Sequence, residues 1–132
     1  MFDSEPEIIE ELRAANQRFY DAFNELSVEC MDDIWEHSDR ALCVHPGWQP
    51  LVGWQPVRES WKRIFDTANM MQFNIRYLNV VIQGDFGYVT CVEVITSVVQ
   101  GRANNFSTYA TNIFVRTDTD WRMTAHHASP GG

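Results

Sequence analysis

Cysteine is scarce and poorly arranged in this 132-residue chain: Cys30, Cys43 and Cys91 are an odd set with no CxxC pair. That excludes a disulfide framework and a thiolate metal knuckle. With no basic and then apolar leader at the N-terminus, it points to a reduced, cytoplasmic compartment. Positive charge is also short, with ten Lys and Arg against eighteen Asp and Glu, a formal net charge of −8 and a pI near 4.8. No Lys/Arg cluster can track a phosphate backbone, so nucleic acid is excluded as the expected partner. No apolar run approaches the roughly 20 residues that span a bilayer, and no basic amphipathic stretch suits a membrane surface. A glycine-rich phosphate loop and a nucleophile elbow are missing as well, so any chemistry is expected to proceed without a cofactor.

What is present is a bulky apolar fraction: 45% of residues are hydrophobic, and five Trp and eight Phe sit in this short chain. One domain, 1–132, accommodates them, and a domain of this size buries about two-thirds of its unfolded surface. Ser4-Glu5-Pro6-Glu7 has the form of a capping box, and Ile8, Leu12, Ala15, Phe19, Ala22, Phe23 and Leu26 follow at helical spacing. Ser27 can cap a second, short helix through Met31, Ile34 and Trp35. A short strand, Ala41 to His45, leads into the turn-rich loop His45-Pro46-Gly47-Trp48-Gln49-Pro50. A third helix is expected from about Gln55 to Ala68, with Val57, Trp61, Ile64 and Phe65 on its buried face.

Beyond that point the apolar period changes to two. Four strands are expected in a meander, Met71 to Gln83, Phe86 to Val99, Ala103 to Arg116 and Asp120 to Ala128, separated by Gly84-Asp85, Gln100-Gly101 and Thr117 to Asp120. Helices first and a long antiparallel meander afterwards is an α+β plan, with the helices covering one face of the sheet. Strands this long must twist and bend, and bulges are expected in them. Without bulges, the even-length loops put Arg76, Leu78, Val80, Val89, Cys91, Glu93, Thr108, Ala110, Asn112, Phe114, Trp121, Met123, Ala125, His127 and Ser129 on one face. That face suits the core under the helices. The opposite face, with Tyr88, Thr90, Val92, Val94, Tyr109, Thr111, Ile113, Val115, Thr124 and His126, suits contact with a second copy of the chain, so a homodimer is expected.

The element order and several local motifs resemble the SnoaL-like family of the nuclear transport factor 2-like superfamily, relatives of ketosteroid isomerase. The motifs are Phe19-Tyr20-Asp21-Ala22-Phe23, His45-Pro46-Gly47-Trp48, the helix start from Gly53 to Trp61, Gly84-Asp85-Phe86-Gly87-Tyr88-Val89, Thr111-Asn112-Ile113-Phe114-Val115-Arg116, and Trp121-Arg122-Met123 running into His127-Ala128-Ser129. The resemblance spans nearly the whole chain. It implies a cystatin-like cone: a long N-terminal helix and two shorter ones in the concave face of a strongly curved antiparallel sheet, in α-α-β-α-β-β-β-β order. It also implies an apolar pocket inside the cone and dimers through the outer sheet face. Members include isomerases, dehydratases, cyclases and association domains, so fold does not fix function. Ketosteroid isomerases place an acidic base and a tyrosine donor in the cone; Tyr20 is placed for the tyrosine, and the acidic base has no matching position.

Adjacent histidines on the last strand suggest that it lines a site, since a strand built only for packing favours Val, Ile or Thr. His127 shares its expected face with Glu93 and Asn112. A carboxylate beside an imidazole fixes its tautomer and raises its basicity, which makes His127 a candidate acid/base and Glu93 its orienting group. The alternative pairs Glu93 with Arg76 and leaves His127 bonded to a carbonyl or to Ser129. Tyr20, at the edge of the first helix's apolar stripe, is a candidate donor to a developing oxyanion or a packed core-edge residue. His45, Trp48 and Trp54 are candidates for the pocket mouth, with Asn112 and Ser129 as further polar contacts to the ligand. His126 and His127 should point to opposite faces, so they do not share a metal ion, and none is expected. The expected function is binding of a hydrophobic small molecule with cofactor-free isomerase, cyclase or dehydratase chemistry; the alternative is a non-catalytic dimerisation or association module.

Overall fold

The computed structural model describes residues 5–118 and 120–131. Helix α1 (Glu5–Asn24) buries Leu12, Ala15, Phe19, Ala22 and Phe23, the spacing that its sequence predicts. Ser4 of the capping box lies outside the described residues. The chain leaves α1 through Leu26 in the left-handed region (φ 53), and Ser27 then caps α2 (Val28–Ile34), its hydroxyl accepting from the Cys30 amide at 3.1 Å. Strand β1 (Leu42–Val44) and a two-residue strand β2 (Leu51–Val52) flank the His45–Pro50 loop. β2 is too short to show a period and was not expected. Gly53 holds φ 93 where the chain turns into α3 (Trp54–Thr67), a conformation that glycine adopts without strain.

The meander follows as β3 (Ala68–Gln83), β4 (Phe86–Val99), β5 (Arg102–Arg116) and β6 (Trp121–Pro130). The six strands form one sheet in the order β2-β1-β6-β5-β4-β3, antiparallel throughout except that β1 runs parallel to β6. The turns act as their lengths require: Gln83 pairs with Phe86, Val99 with Arg102 and Arg116 with Trp121. Three helices thus pack on a curved sheet, with α1 along its concave face and a core that runs from Leu12 and Val89 to Trp61, Phe65 and Phe73.

Two bulges overturn part of the expected facing. Tyr77 pairs with Cys91 and Asn79 with Thr90, leaving Leu78 as the extra residue in β3. Arg76 and Leu78 therefore turn outward, and Phe73, Ile75 and Tyr77 take the inner positions. In β6, Met123 pairs with Phe114 but Ala125 pairs with Ile113, so Thr124 is the extra residue. Every side chain beyond it changes face: His126 and Ala128 point inward, His127 and Ser129 outward. A bulge bends its strand and increases the twist, which is what closing long strands around α1 demands. The neighbour on the other side of β6 changes at the same place, since Trp35 and Glu36 meet Met123 while β1 begins its pairing at Ala125.

Candidate functional site

α1 carries two polar residues within its apolar stripe, Asn16 and Tyr20, one helical turn apart and both fully buried. They face the inner side of β4, β5 and β6, which presents Cys91, Glu93, Thr108, Asn112 and His126, all buried. The Tyr20 hydroxyl donates to Glu93 Oε2 at 2.6 Å, and the Thr108 hydroxyl donates to Glu93 Oε1. Asn112 Nδ2 donates both to Asn16 Oδ1 at 2.8 Å and to the Tyr20 oxygen at 3.0 Å. Asn112 Oδ1 then accepts from His126 Nδ1 at 2.6 Å. The donor directions form one consistent series, because Tyr20 has a single proton and spends it on the carboxylate. His126 consequently carries its proton on Nδ1 and an open lone pair on Nε2.

Burial sets the electrostatics. Desolvation raises the Glu93 pKa above the ordinary glutamate value, and the donors Thr108 and Tyr20 work against that rise. Tyr20 is pushed up too, first by burial and then by the neighbouring Glu93 charge. His126 is driven down to about 3 by burial, with the nearby His45 and His127 adding to the effect. Burial lowers His45 to about 4 and raises Cys91 to about 11. The interior therefore keeps neutral imidazoles and inert thiols, and moves a carboxylate toward the pH at which acid–base catalysis works.

Around this network stands an aromatic wall. Trp61 touches His45 edge-on at a ring separation of 4.7 Å and lies 5.9 Å from His126. Phe19 packs 4.9 Å from His126, and Phe73 sits 5.5 Å from Tyr20 and 4.1 Å from Phe23. His45 Nε2 is 2.8 Å from the Ser60 hydroxyl, which itself donates to the Val57 carbonyl; that geometry makes His45 the donor. Trp48, about one-third exposed, contacts His45 at 4.7 Å and has the Arg63 guanidinium over its ring. A series of ring contacts, Trp48 to His45 to Trp61 to His126, thus connects the surface with the interior.

The structure brings together Glu93, Tyr20 and Asn112 of the expected site, and places His45 and Trp48 side by side at its outer end. It does not bring His127 there. His127 is exposed on the outer face, opposite Thr111, so it cannot be oriented by Glu93; the Thr124 bulge puts His126 in its place. Ser129, opposite Tyr109, is likewise outside, and both line a depression of about 350 Å³ with Leu78, Thr90 and Tyr109. Trp54 is not at the mouth: it stacks on His37 at 4.6 Å and lines a groove of about 810 Å³ with Asp32, Ser38 and Arg58, between α2 and α3. Glu93 meets Tyr20 and Thr108, and the expected rival pairing with Arg76 does not form because the Leu78 bulge turns Arg76 away. Asn16 and Thr108 lie outside the site expected from the sequence. A polar residue four before Tyr20 on an apolar stripe, and a threonine directly opposite Glu93, were the available signals. Among the described residues no group of three His, Cys, Asp or Glu is placed to hold a metal ion.

A curved sheet closed over a long helix, with a polar network between them, defines a class of small α+β domains. The SnoaL-like domain family matches residues 12–131, and the chain belongs to it, within the nuclear transport factor 2-like superfamily. A proposed dehydratase of that superfamily from Streptomyces avermitilis is 32% identical, with a TM-score of 0.91 over 98% of this chain and 99% of that one. A proposed calcium/calmodulin-dependent protein kinase type II association domain from Thiobacillus denitrificans is 30% identical, with a TM-score of 0.81 over 91% and 94%. A ketosteroid isomerase-like protein from Erwinia carotovora atroseptica, 18% identical with a TM-score of 0.82 over 99% of each chain, shares the fold. No curated protein matches the sequence. No described helix is long and apolar enough to cross a membrane.

Proposed function

We propose that this protein binds a compact hydrophobic molecule in the cone and moves a proton on it, as an isomerase, cyclase or dehydratase does, without a cofactor. The observation that carries this reading is the buried series Thr108–Glu93–Tyr20–Asn112–His126. Burying a carboxylate, a phenol, an amide and an imidazole costs free energy that apolar side chains of equal volume would not. Such costs are characteristic of sites where the groups do chemistry. Glu93 is the proton acceptor and donor, Tyr20 and Thr108 hold its carboxylate by hydrogen bonds, and Asn112 with neutral His126 fixes the orientation of Tyr20. His126 takes the place expected of His127. Resemblance to the Streptomyces protein supports a lyase-type reaction.

A thermal-shift screen against steroids, polyketide fragments, aromatic acids and lactones, followed by turnover assays on each binder, tests this reading. Glu93→Gln should keep binding while lowering turnover by about 10²–10⁴, the usual worth of a positioned acid–base group. Full turnover in that variant would sink the assignment.

A second reading, self-association through the outer sheet face, is favoured by a specific patch. Leu78 is 61% exposed and Tyr109 52%, and Tyr88 and Val94 lie on the same face. A homodimer would cover them, with or without chemistry in the cone. The variant Val94→Glu/Tyr109→Glu should be monomeric by light scattering; an unchanged mass would exclude this face. The free thiols Cys30, Cys43 and Cys91 suit a reducing, cytoplasmic setting.

A further inference from the structure

The interior hydrogen bonds have a direction, and one buried group does not fit it. Every donor in the series points toward Glu93: His126 Nδ1 donates to Asn112 Oδ1, Asn112 Nδ2 donates to the Tyr20 oxygen, and Tyr20 donates to Glu93 Oε2. Asn112 Nδ2 also donates to Asn16 Oδ1, which leaves Asn16 Nδ2 buried without a hydrogen-bond partner. A buried donor in that condition costs free energy and calls for a reason.

Reversal of the series supplies one. The oxygen and nitrogen of a carboxamide are alike in size, so a half-turn of the Asn16 and Asn112 amides exchanges donors for acceptors with both side chains in place. Asn16 Nδ2 then donates to Asn112 Oδ1, Tyr20 donates to the same oxygen, and Asn112 Nδ2 donates to His126 Nδ1, whose proton must sit on Nε2. Tyr20 has a single proton, so this direction is open only when Glu93 no longer draws it. A protonated Glu93 meets that condition: its Oε2–H donates to the Tyr20 oxygen, while Oε1 still accepts from Thr108. Both directions use the same five links, Thr108–Glu93, Glu93–Tyr20, Tyr20–Asn112, Asn112–Asn16 and Asn112–His126. The carboxylate selects the first direction and the carboxylic acid the second.

Little else at this place can titrate. Among the described residues Glu93 is the only buried carboxylate, and no Lys or Arg is buried. The groups that face it or feel its charge are Tyr20 of α1, Thr108 of β5, Cys91 of β4 and Cys43 of β1, and burial raises the phenol and both thiols, so they keep their protons. Cys91 Sγ also lies 3.4 Å from the Tyr20 oxygen. Around His126 stand Phe19 of α1, Trp61 of α3, Asn112 of β5, Cys43 of β1 and His45 just after it, with His127 next in the chain on the outer face. Burial holds His45 and His126 at about 4 and about 3, so His126 can exchange one ring proton for the other without gaining charge.

We propose that the Glu93–Tyr20–Asn112–His126 series is a two-state relay: uptake of one proton by Glu93 reverses its hydrogen bonds and moves the His126 proton from Nδ1 to Nε2, with Asn16 as the positioning residue that bonds Asn112 in both directions. The network gains one proton in all, at Glu93. His126 gives one up to water from Nδ1 and takes one from water at Nε2 during local opening, and stays neutral. The relay belongs to the protein without a ligand, and so goes beyond the reaction proposed above. Through it the state of Glu93 is read at His126, which packs on Phe19 and Trp61 and turns its Nε2 from an acceptor into a donor.

The test is a pH titration of the isotope-labelled protein, with the two ring nitrogens of His126 followed through their ¹H–¹⁵N correlations, which distinguish a protonated from an unprotonated nitrogen, and the Glu93 carboxyl followed by ¹³C NMR. The His126 signals are identified by their loss in His126→Gln. The expected result is Nδ1–H at pH 7 and passage to Nε2–H with the same midpoint as Glu93. Glu93→Leu, which has no acceptor for Tyr20, should hold His126 as Nε2–H at pH 7. Tyr20→Phe, which cuts the series, should leave the His126 tautomer unchanged across the Glu93 midpoint. A His126 that keeps Nδ1–H while Glu93 titrates, Nδ1–H in folded Glu93→Leu, or an undiminished change in Tyr20→Phe would each overturn the proposal. Should acid unfold the wild type before Glu93 titrates, Glu93→Leu at pH 7 decides; should that variant fold poorly, the wild-type titration decides. Turnover plays no part in these readings, so failure of the acid–base proposal leaves them standing.

Discussion

Acid should unfold this protein in a way that two histidines dictate. His126 and His45 have folded-state pKa values of about 3 and about 4, both lowered chiefly by burial, against 6.5 for a histidine in water. In the unfolded chain each ring takes up a proton below pH 6.5, while the folded chain resists doing so until pH 4 or 3. The unfolded state therefore binds more protons over that window, and stability falls as the pH falls, by up to about 1.4 kcal/mol per pH unit for each ring. From pH 6.5 to 5 each histidine removes roughly 2 kcal/mol, about 4 together, a large share of the 5–15 kcal/mol of an ordinary domain. Glu93 opposes this: its raised pKa lets the folded state protonate first, returning some stability as the pH falls through the window above 4.5. Urea unfolding at pH 7 and pH 5 measures the net loss. His126→Gln keeps a donor for Asn112 and removes one titrating ring, so its loss over the same range should be smaller by roughly 2 kcal/mol. An equal loss in wild type and variant, or an NMR titration placing the folded His126 near 6.5, would refute the reasoning.

The two adjacent histidines should differ sharply when removed. His126→Ala strands Asn112 Oδ1 and opens a void beside Phe19 and Trp61, at a cost of about 3 kcal/mol in urea unfolding, whereas exposed His127→Ala should stay within about 0.5 kcal/mol. Tyr20→Phe deprives Glu93 of one of its two donors; it should cost about 2 kcal/mol, and the Glu93 carboxyl, followed by ¹³C NMR titration, should protonate at higher pH than in the wild type. A Cβ on Gly87 would lie 2.6 Å from Leu12 Cδ2 and 3.2 Å from the Val81 carbonyl, so Gly87→Ala should lower the stability by about 1–3 kcal/mol. Wild-type stability in that variant would mean that Leu12 has room to move.

Much of the architecture follows from local rules that the chain obeys. The apolar spacing from Leu12 to Phe23 makes α1, Ser27 starts α2, and the two-residue loops Gly84-Asp85 and Gln100-Gly101 fix which residues of β3, β4 and β5 stand opposite one another next to each turn. Glu93 and Asn112 therefore belong to the inner face on sequence grounds, because β4 and β5 pair without interruption. Tyr20, at the edge of the α1 stripe, was also within reach.

The placements of His126, His127, Arg76 and Trp54 were decided elsewhere. A strand's side chains alternate strictly, so one added residue exchanges the faces of everything beyond it. The extra residues are Leu78 and Thr124, neither a glycine nor a proline, and nothing in their local sequence marks them. They answer a demand of the assembled cone: the sheet has to bend around α1, and β6 has to pass from Trp35 to β1 as its outer neighbour. The sequence by itself determined the order of the helices, the pairing of the hairpins and the inner position of Glu93, through short-range periodicity and turn length. Only the tertiary structure decided which of two adjacent histidines joins that carboxylate's network, because the bulge that chooses between them is set by closure of the sheet and not by the residues beside it.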